Sequence, residues 1–564
     1  MEQNWNIAPE IPQDISKDLA KFPPILRQLL FNRGFITDEA ARAFLKTAVD
    51  FDTSPFLLRG MDPTVQRILQ ARERREKVAV YGDYDVDGVT STTLLVEALR
   101  MLGIDVREYI PNRFDEGYGL NVDALRTLKE YGVSLVISVD CGIRSTKEAD
   151  FAREIDLDLI ITDHHDPGEV IPNGYAVINP KQPGDTYGEK YLAGVGIAYK
   201  VAAGLAIRVH ETTGEWPYDP SEFLDLVAMG TVADVAPLKG ENRQLVRRGL
   251  RILRATKRQG IAALAAVADV KLAKINAISI GFFLAPRLNA AGRLDSALLA
   301  YTLLTTKDIA LAGELAQRLN VRNSERQKIT KEIQDKAMEM AIADDPSPSF
   351  LFAVSPEFNH GIVGLAASKL AEYYYRPAFV GHYDEEDGTT RCSCRSIPEY
   401  HLSNALDRMS HLFIKYGGHA AAAGFTIPNE KLEEFKTLMR QDVEEHLPKD
   451  LMPTVRVDMQ VKLSELTFET IEHLEYLQPT GAENPDVVFA SRNVEIRNKR
   501  TVGSDAKHLK LTLSDGIVTM DAIGFGMGSL LPKLPRMVDV LFALELNEYN
   551  GQSNLQLRLK DIKY

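Results

Sequence analysis

Short apolar runs alternate with helix-periodic segments through the first half of the chain. Val78-Ala79-Val80-Tyr81, Val106-Arg107-Glu108-Tyr109-Ile110, Leu135-Val136-Ile137-Ser138-Val139 and Leu159-Ile160-Ile161-Thr162 read as strands, and Val89 to Leu102 is the clearest of the helices between them. Apolar strands alternating with helices predict a parallel sheet covered on both faces. Three of these strands break at acidic positions. The first stops at Gly82 and runs into Asp83, Asp85 and Asp87; the third stops at Asp140-Cys141-Gly142; the fourth stops at Asp163-His164-His165. A later apolar element, Gly230-Thr231-Val232-Ala233, meets Asp234. Parallel sheets bind ligands at the carboxyl ends of their strands, so these side chains are expected on one edge.

The remaining pattern divides the chain. Residues 1–60 carry a helical pattern (Leu19, Phe22, Leu26, Leu29, Leu30) and predict a helical preface, with Thr37 as a cap for a second helix. Residues 61–304 hold the predicted sheet and its helices. From 305 to 343 a charged pattern runs without a break into Asp344-Asp345-Pro346-Ser347-Pro348-Ser349, a linker. A second α/β unit occupies 350–450, with Asn359-His360-Gly361 at a helix start, then Arg395-Ser396 and Gly417-Gly418-His419. After 451 the helices thin out. Short alternating runs, among them Val455–Val457, Val487–Phe489, Val494–Ile496 and Leu509–Leu513, predict a small barrel of the OB type over 451–564. The fold class is therefore α/β, with a β-barrel at the end.

Composition changes this picture little. A chain of 564 residues, 45% hydrophobic, can bury large cores. No run of 18 apolar residues occurs and the first residues are polar, so no membrane span or signal peptide is expected and a cytoplasmic location is the simplest reading. Cys141, Cys392 and Cys394 are too few for a disulfide framework and lack the second pair of a structural zinc site. The net charge of −13 speaks against a basic footprint over the whole surface. It does not exclude a local one, and Arg492, Arg497, Lys499, Arg500, Lys507 and Lys510 form a basic cluster in the predicted barrel. A solvated strand edge would also carry such residues.

The candidate chemistry is that of a metal. Crowded carboxylates repel one another, and a cation makes such crowding tolerable; solvated turn and cap aspartates are the bland alternative. Three acidic strand ends with a His pair suit Mn²⁺ or Mg²⁺ better than an ion that prefers thiolates. Asp85, Asp87, Asp140, His164 and Asp234 are the expected ligands, with Asp140 placed to bridge two ions. Two metals about 4 Å apart can activate water and stabilise a leaving oxygen in phosphodiester hydrolysis. Asp163 is expected to orient the adjacent His ligand, and Asp83 is either a structural turn residue or a further ligand. Arg287, Asn289, Arg293, Gly417, Gly418 and His419 are read as a substrate cradle, against packing, ion-pair or tight-turn roles. Arg113, Arg287, Arg293 and Arg395 with Ser396 are expected to converge on a pocket for a 5′-terminal phosphate, Arg287 and Arg293 flanking a compact loop.

With these residues in view, the chain resembles the DHH phosphoesterase superfamily, and within it the bacterial single-strand-specific exonucleases. The resemblance rests on Tyr-Gly-Asp83-Tyr-Asp85-Val-Asp87-Gly, Val-Asp140-Cys-Gly, Asp163-His164-His165, Gly-Thr-Val-Ala-Asp234-Val, Pro-Arg287-Leu-Asn289-Ala-Ala-Gly-Arg293, and Gly417-Gly418-His419 of a DHHA1-type unit. It implies a 5′→3′ exonuclease on single-stranded DNA that needs two Mn²⁺ or Mg²⁺ ions, releases mononucleotides and serves DNA repair and recombination. It also implies that His165 faces the substrate phosphate, and that a single-stranded-DNA-binding protein and a helicase are partners. Many relatives carry His where this chain has Tyr81, so a ligand from that position is in doubt. Two rivals remain at this stage: a related phosphodiesterase acting on short oligoribonucleotides, cyclic dinucleotides or pyrophosphate, and a non-catalytic replication scaffold.

Overall fold

The computed structural model describes residues 3–45, 53–112, 116–294, 296–343, 348–448, 451–549 and 552–564. Arg113 and linker residues 344–347 lie outside them.

The first sheet is parallel throughout, in the order β3 (Asp105–Tyr109), β2 (Lys77–Tyr81), β4 (Val133–Val139), β5 (Asp158–Thr162), β6 (Ala176–Ile178). Chain order reverses at β2, whose neighbours are β3 on one side and β4 on the other. The crevice beyond β2 and β4 is thus the switch point at which open α/β sheets bind ligands. Both faces are covered, as the near-continuous apolar strands predict. Helices Val86–Met101, Gly194–Thr213 and Leu224–Ala233 supply most of one core, and helices Val122–Glu130 and Thr146–Glu154 pack on the other face.

The helix Ile309–Ile342 connects two bodies. Its Ala312, Leu315, Ala316 and Leu319 belong to the core of the first unit, while Ile333 and Ala337 pack into the second. That second unit has a mixed sheet in the order β10 (Lys415–Gly418), β11 (Ala422–Pro428), β9 (Thr389–Arg395), β8 (Ala378–Asp384), β7 (Leu351–Ser355). At the C-terminus β14 (Phe489–Val502), β15 (His508–Ser514), β16 (Thr519–Gly524), β18 (Gln552–Lys563) and β17 (Met537–Tyr549) pair in that order, and β17 returns to β14. The sheet closes on itself, which removes its edges.

Four expectations are corrected here. The N-terminal segment is not purely helical: β1 (Asn4–Ile7) is a strand, paired in parallel with Thr454–Val457. Val455–Val457 is accordingly outside the barrel. Leu19, Leu26, Leu29 and Leu30 share a core with Val461, Phe489 and Phe542, so the preface packs on the C-terminal barrel. The separate runs around Val494 belong to one strand, bent by a register shift between Ile496 and Asn498. Arg287 and Arg293 lie within a helix, Ala285–Leu294, and not beside a loop. Pro286 lies just past the π-helical turns of Ser279–Leu284, which run directly into this helix.

Candidate active site

The β2 turn is built to crowd carboxylates. Asp85 caps the helix Val86–Met101, accepting from the backbone N–H of Asp87 (2.9 Å) and Gly88 (3.1 Å). Gly88 has no alternative, because a Cβ there would lie 2.6 Å from the backbone N of Asp83. The buried Asp87 carboxylate accepts from the N–H of Gly194 (2.7 Å) and Val195 (2.8 Å), the first residues of a long helix. These are helix-terminal donors aimed at an anion. They give a role to the Gly-rich helix entry at 193–198. A Cβ at Gly194 would also lie 2.7 Å from Asp140 Oδ1.

Asp140 ends β4 with a positive φ of 61°, a conformation that costs a non-glycine residue energy and recurs at functional sites. Its Oδ1 lies 3.1 Å from His164 Nε2, which is 3.7 Å from Asp87 Oδ2 and 3.9 Å from Asp234 Oδ2. Asp234 caps the C-terminus of helix Leu224–Ala233. Three groups of potential ligand atoms lie within 4.8 Å of one another: Asp83, Asp85 and Asp140; Asp140, His164 and His165; Asp87, His164 and Asp234. Asp140 belongs to two of the three, as a bridging carboxylate would. Asp83 is brought into the cluster, which favours the ligand reading over the turn reading.

Electrostatics follow from this crowding. Burial and then the neighbouring Asp234 raise Asp87 to about 7, and burial with the charge of Asp85 does the same to Asp234. Burial and the surrounding aspartates push Asp140 well above the usual carboxylate range. Burial lowers His164. For His165 burial also opposes protonation, but the hydrogen bond and charge of Asp163 outweigh it and raise the imidazole to about 9. Asp163 Oδ1 contacts His165 Nδ1 at 2.7 Å and accepts from the His164 and His165 amides, while Oδ2 accepts from Ile143 N–H. Asp163 therefore holds the His165 ring through Nδ1 and the adjacent His164 through its backbone amide.

The donor set fits a hard divalent cation. Asp140 Oδ1 and His164 Nε2 are buried, adjacent and without a hydrogen-bond partner, a costly state unless a further group binds them. The other donors are carboxylates, and Cys141 Sγ points to the Tyr81 carbonyl instead. Oxygen and imidazole donors without thiolate match Mn²⁺ or Mg²⁺. Tyr81 takes no part: it is fully buried, donates to Gly119 O at 3.0 Å and stacks on Tyr109.

A cavity of about 380 Å³ opens over the cluster, lined among others by Asp85, Tyr118, His165, Asp234, Asn289 and Arg293. Tyr118 was not separable from its polar loop by sequence; its hydroxyl lies 3.3 Å from His165 Nδ1. Asn289 Oδ1 accepts from Val86 N–H, so it also fastens the β2 turn. Arg293 donates to Gly361 O, at the start of helix Val363–Tyr374 in the second unit. Arg395 approaches the same helix start, its Nη2 3.1 Å from where a Gly364 Cβ would be. The Ser396 hydroxyl is engaged with Tyr400 O at 2.7 Å. Ser393, two residues before Arg395 and on the same strand face, is the hydroxyl near Gly364. Arg287 does not join this group; its Nε donates to Asn320 Oδ1 on the connecting helix and its Nη1 to Phe283 O. Gly417 and Gly418 form exposed strand, and His419 turns the chain back through its N–H to Ala422 O. The hydrogen bond from Lys181 holds Asp166 below the usual carboxylate range against the opposing effect of burial, and the charges of Lys181 and of nearby His419 add to it.

The basic barrel cluster is largely self-paired. Arg497 meets Glu495, Lys510 meets Asp521, Arg492 meets Asp539, and Lys499 donates to Leu531 O and Leu534 O.

A doubly covered parallel sheet with a carboxylate and His cluster at its switch point, joined by one long helix to a second α/β unit facing that cluster, defines a metal-dependent phosphoesterase of the DHH type. Family comparisons agree: residues 77–231 match the DHH family N-terminal domain, 347–445 the DHHA1 domain and 457–561 the RecJ OB domain. The chain is 38% identical to the single-stranded-DNA-specific exonuclease RecJ of Bacillus subtilis over 97% of its own length and 69% of that protein's. It is 35% identical to the Escherichia coli protein of the same name, covering 97% of both chains. The crystal structure of Thermus thermophilus RecJ in complex with Mn²⁺ superposes with a TM-score of 0.84 at 29% identity, over 100% of this chain and 79% of that one. The Mg²⁺ complex gives 0.78 at 27% identity, over 100% and 78%. The chain belongs to the RecJ family of single-stranded-DNA-specific exonucleases.

Proposed function

We propose that the chain hydrolyses single-stranded DNA from the 5′ end to mononucleotides, using Mn²⁺ or Mg²⁺ held by Asp83, Asp85, Asp87, Asp140, His164 and Asp234. The observation that carries this reading is the buried, unsatisfied pair Asp140 Oδ1 and His164 Nε2 amid carboxylates raised in pKa. When bound, the divalent ions supply an activated water and charge stabilisation for phosphodiester hydrolysis. The residues of the chain do the rest. Asp163 fixes the His165 ring through Nδ1, which leaves Nε2 to donate to a phosphate oxygen of the substrate. Gly194 and Val195 hold the Asp87 carboxylate in its orientation. Arg293 and Arg395, at the start of helix Val363–Tyr374, are assigned to the terminal 5′-phosphate, with Ser393 beside them. That phosphate carries more charge than an internal diester, and fixed guanidinium donors favour it. Arg113 is assigned to the same pocket on sequence alone. Gly417, Gly418 and His419 close the opposite wall as a backbone cradle.

The chain divides, on this reading, into a catalytic unit (61–304), a connecting helix (305–349), a DHHA1-type substrate-binding unit (350–450) and a nucleic-acid-binding barrel (451–564) on which residues 1–60 are mounted. Among the described residues no helix is long and apolar enough to cross a membrane. We assign the protein to the cytoplasm, where its DNA lies, and by family likeness to DNA repair and recombination with a single-stranded-DNA-binding protein and a helicase as partners. The test is degradation of a long single strand, the matching duplex and a dinucleotide in Mn²⁺, Mg²⁺ or chelator. The proposal expects metal-dependent loss of the long strand alone; preference for the dinucleotide would return the short-oligonucleotide phosphodiesterase.

A further inference from the structure

Arg287 and Arg326 stand on two packed helices, Ala285–Leu294 and Ile309–Ile342, and neither pairs with a carboxylate among the described residues. Arg287 is anchored from one side by Asn320 Oδ1 at 3.0 Å and by Phe283 O at 2.6 Å. Arg326 follows Asn320 by six residues on the same helix, and its Nε is buried with no hydrogen-bond partner. The guanidiniums are close enough that the charge of Arg287 adds to burial in disfavouring protonation of Arg326. Two half-buried like charges side by side, one with an idle donor, need an anion. Arginine is the side chain that would hold a phosphate with such donors.

The place of the pair selects the anion. Asn289 and Arg293, on the same helix as Arg287, line the cavity over the metal cluster. Arg287 lies six residues before Arg293, about 9 Å along the axis at 1.5 Å per residue. A phosphate held there belongs to a neighbouring part of the strand, not to the bond being cut. We propose that Arg287 and Arg326 form a subsite for an internal phosphodiester of the single strand, and that Arg326 is a strand-positioning residue of the connecting helix. This rests on the exonuclease reading above.

The test uses the full chain and a labelled oligothymidylate in chelator, where binding is read without hydrolysis, over a series of salt concentrations. Each phosphate contact to a single strand contributes about 0.7 to the slope of log affinity against log salt. Arg326→Gln should reduce the slope by about 0.7 and weaken binding about tenfold at low salt. With Mn²⁺ restored, the loss should fall on KM, with kcat at saturating strand within about twofold of wild type. Arg153→Gln, on an exposed helix face far in sequence from the pair, should leave the slope as in wild type. Should Arg326→Gln melt early, Arg287→Gln reads the same subsite from the neighbouring helix and must give the same change. A folded variant of either arginine with wild-type slope and affinity overturns the proposal. An active wild type combined with that result refutes the subsite alone. An inactive wild type whose slope still depends on Arg326 refutes the exonuclease reading and keeps the subsite.

Discussion

At the scale of single residues, the centre is a compromise between charges that repel and backbone that restrains them. Asp140 is the residue on which most depends: it joins two ligand groups, it is fully enclosed, and its backbone is held at positive φ. Asp140→Ala should lower hydrolysis by at least about 10²-fold, given the share of transition-state stabilisation that metals carry. The melting curve should not fall, because the substitution removes a crowded buried carboxylate; a folded variant with substantial activity in Mn²⁺ contradicts the assignment. Gly194 offers a subtler probe. A methyl group there would sit 2.7 Å from Asp140 Oδ1 while the same residue's N–H holds Asp87. Gly194→Ala should therefore weaken Mn²⁺ binding, measured by calorimetry, and raise the metal needed for half-maximal activity by about tenfold or more. Wild-type metal affinity would show that the helix start moves aside freely. The residues that meet in the carboxylate and His cluster were legible because each is an Asp or His near the end of an apolar run. Gly194 was not, because its partners lie 107 and 54 residues away in sequence and nothing local marks them. Ser393 could have been found: a strand places Ser393 and Arg395 on one face and Ser396 on the other.

At the scale of elements, parallel strands and long helices were read correctly because their patterns are continuous and locally determined. The failures have physical causes. β1 is only four residues long and its partner lies 450 residues away, so no local signal could reveal it. The helix Ala285–Leu294 contains Pro286 and Gly292, which suggested a loop; Pro286 follows directly on the π-helical turns of Ser279–Leu284, and Gly292 is needed because a Cβ would lie 2.7 Å from Tyr84 O. The barrel contains an element with a clear pH signature. Asp515 turns the chain between β15 and β16, accepting from the N–H of Ile517, Val518 and Ser464. Burial would raise its pKa, but these backbone donors prevail and lower it to about 2. Its folded pKa lies below the ordinary value, so its contribution is present above about pH 4 and is lost as pH falls toward 2. Asp515→Asn should lower the melting temperature at neutral pH and narrow the gap between variant and wild type as pH falls from 4 to 2. The loss is on the order of 1 kcal/mol, since the group is only partly buried. A gap that stays constant over that range would mean that the carboxylate does not titrate with folding.

At the scale of the whole molecule, the N- and C-terminal segments form one body that is clasped to the catalytic unit. Arg243 is the clasp. It is buried, donates to the carbonyls of Leu477, Pro479 and Tyr476, and lies 4.0 Å over the Phe44 ring. Burial lowers its pKa to about 9. Arg243→Ala strands three carbonyls and opens the seam between three parts of the chain, and should cost about 3 kcal/mol or more in thermal unfolding. A variant as stable as wild type would show that water replaces the guanidinium without loss. The same seam decides what truncation does. Removing 451–564 takes away the pairing partner of β1 and the core shared by Leu19, Leu26, Leu29 and Leu30, so a 1–450 fragment should aggregate through that exposed surface. The sequence marked the barrel but not its packing on the N-terminal helices, because long-range burial leaves no mark in a local pattern.

The central claim is that polarity and chemistry reside in one cleft, with a metal cluster on the first sheet and a phosphate pocket at the start of helix Val363–Tyr374. The most direct measurement is the order in which nucleotides leave a single strand labelled differently at its 5′ and 3′ ends, in Mn²⁺, with and without a 5′-phosphate. The structure predicts immediate release of the 5′ label as a mononucleotide, late release of the 3′ label, faster reaction of the phosphorylated strand, and no release by Asp140→Ala. Early release of the 3′ label, or equal release of both in the presence of chelator, would contradict it.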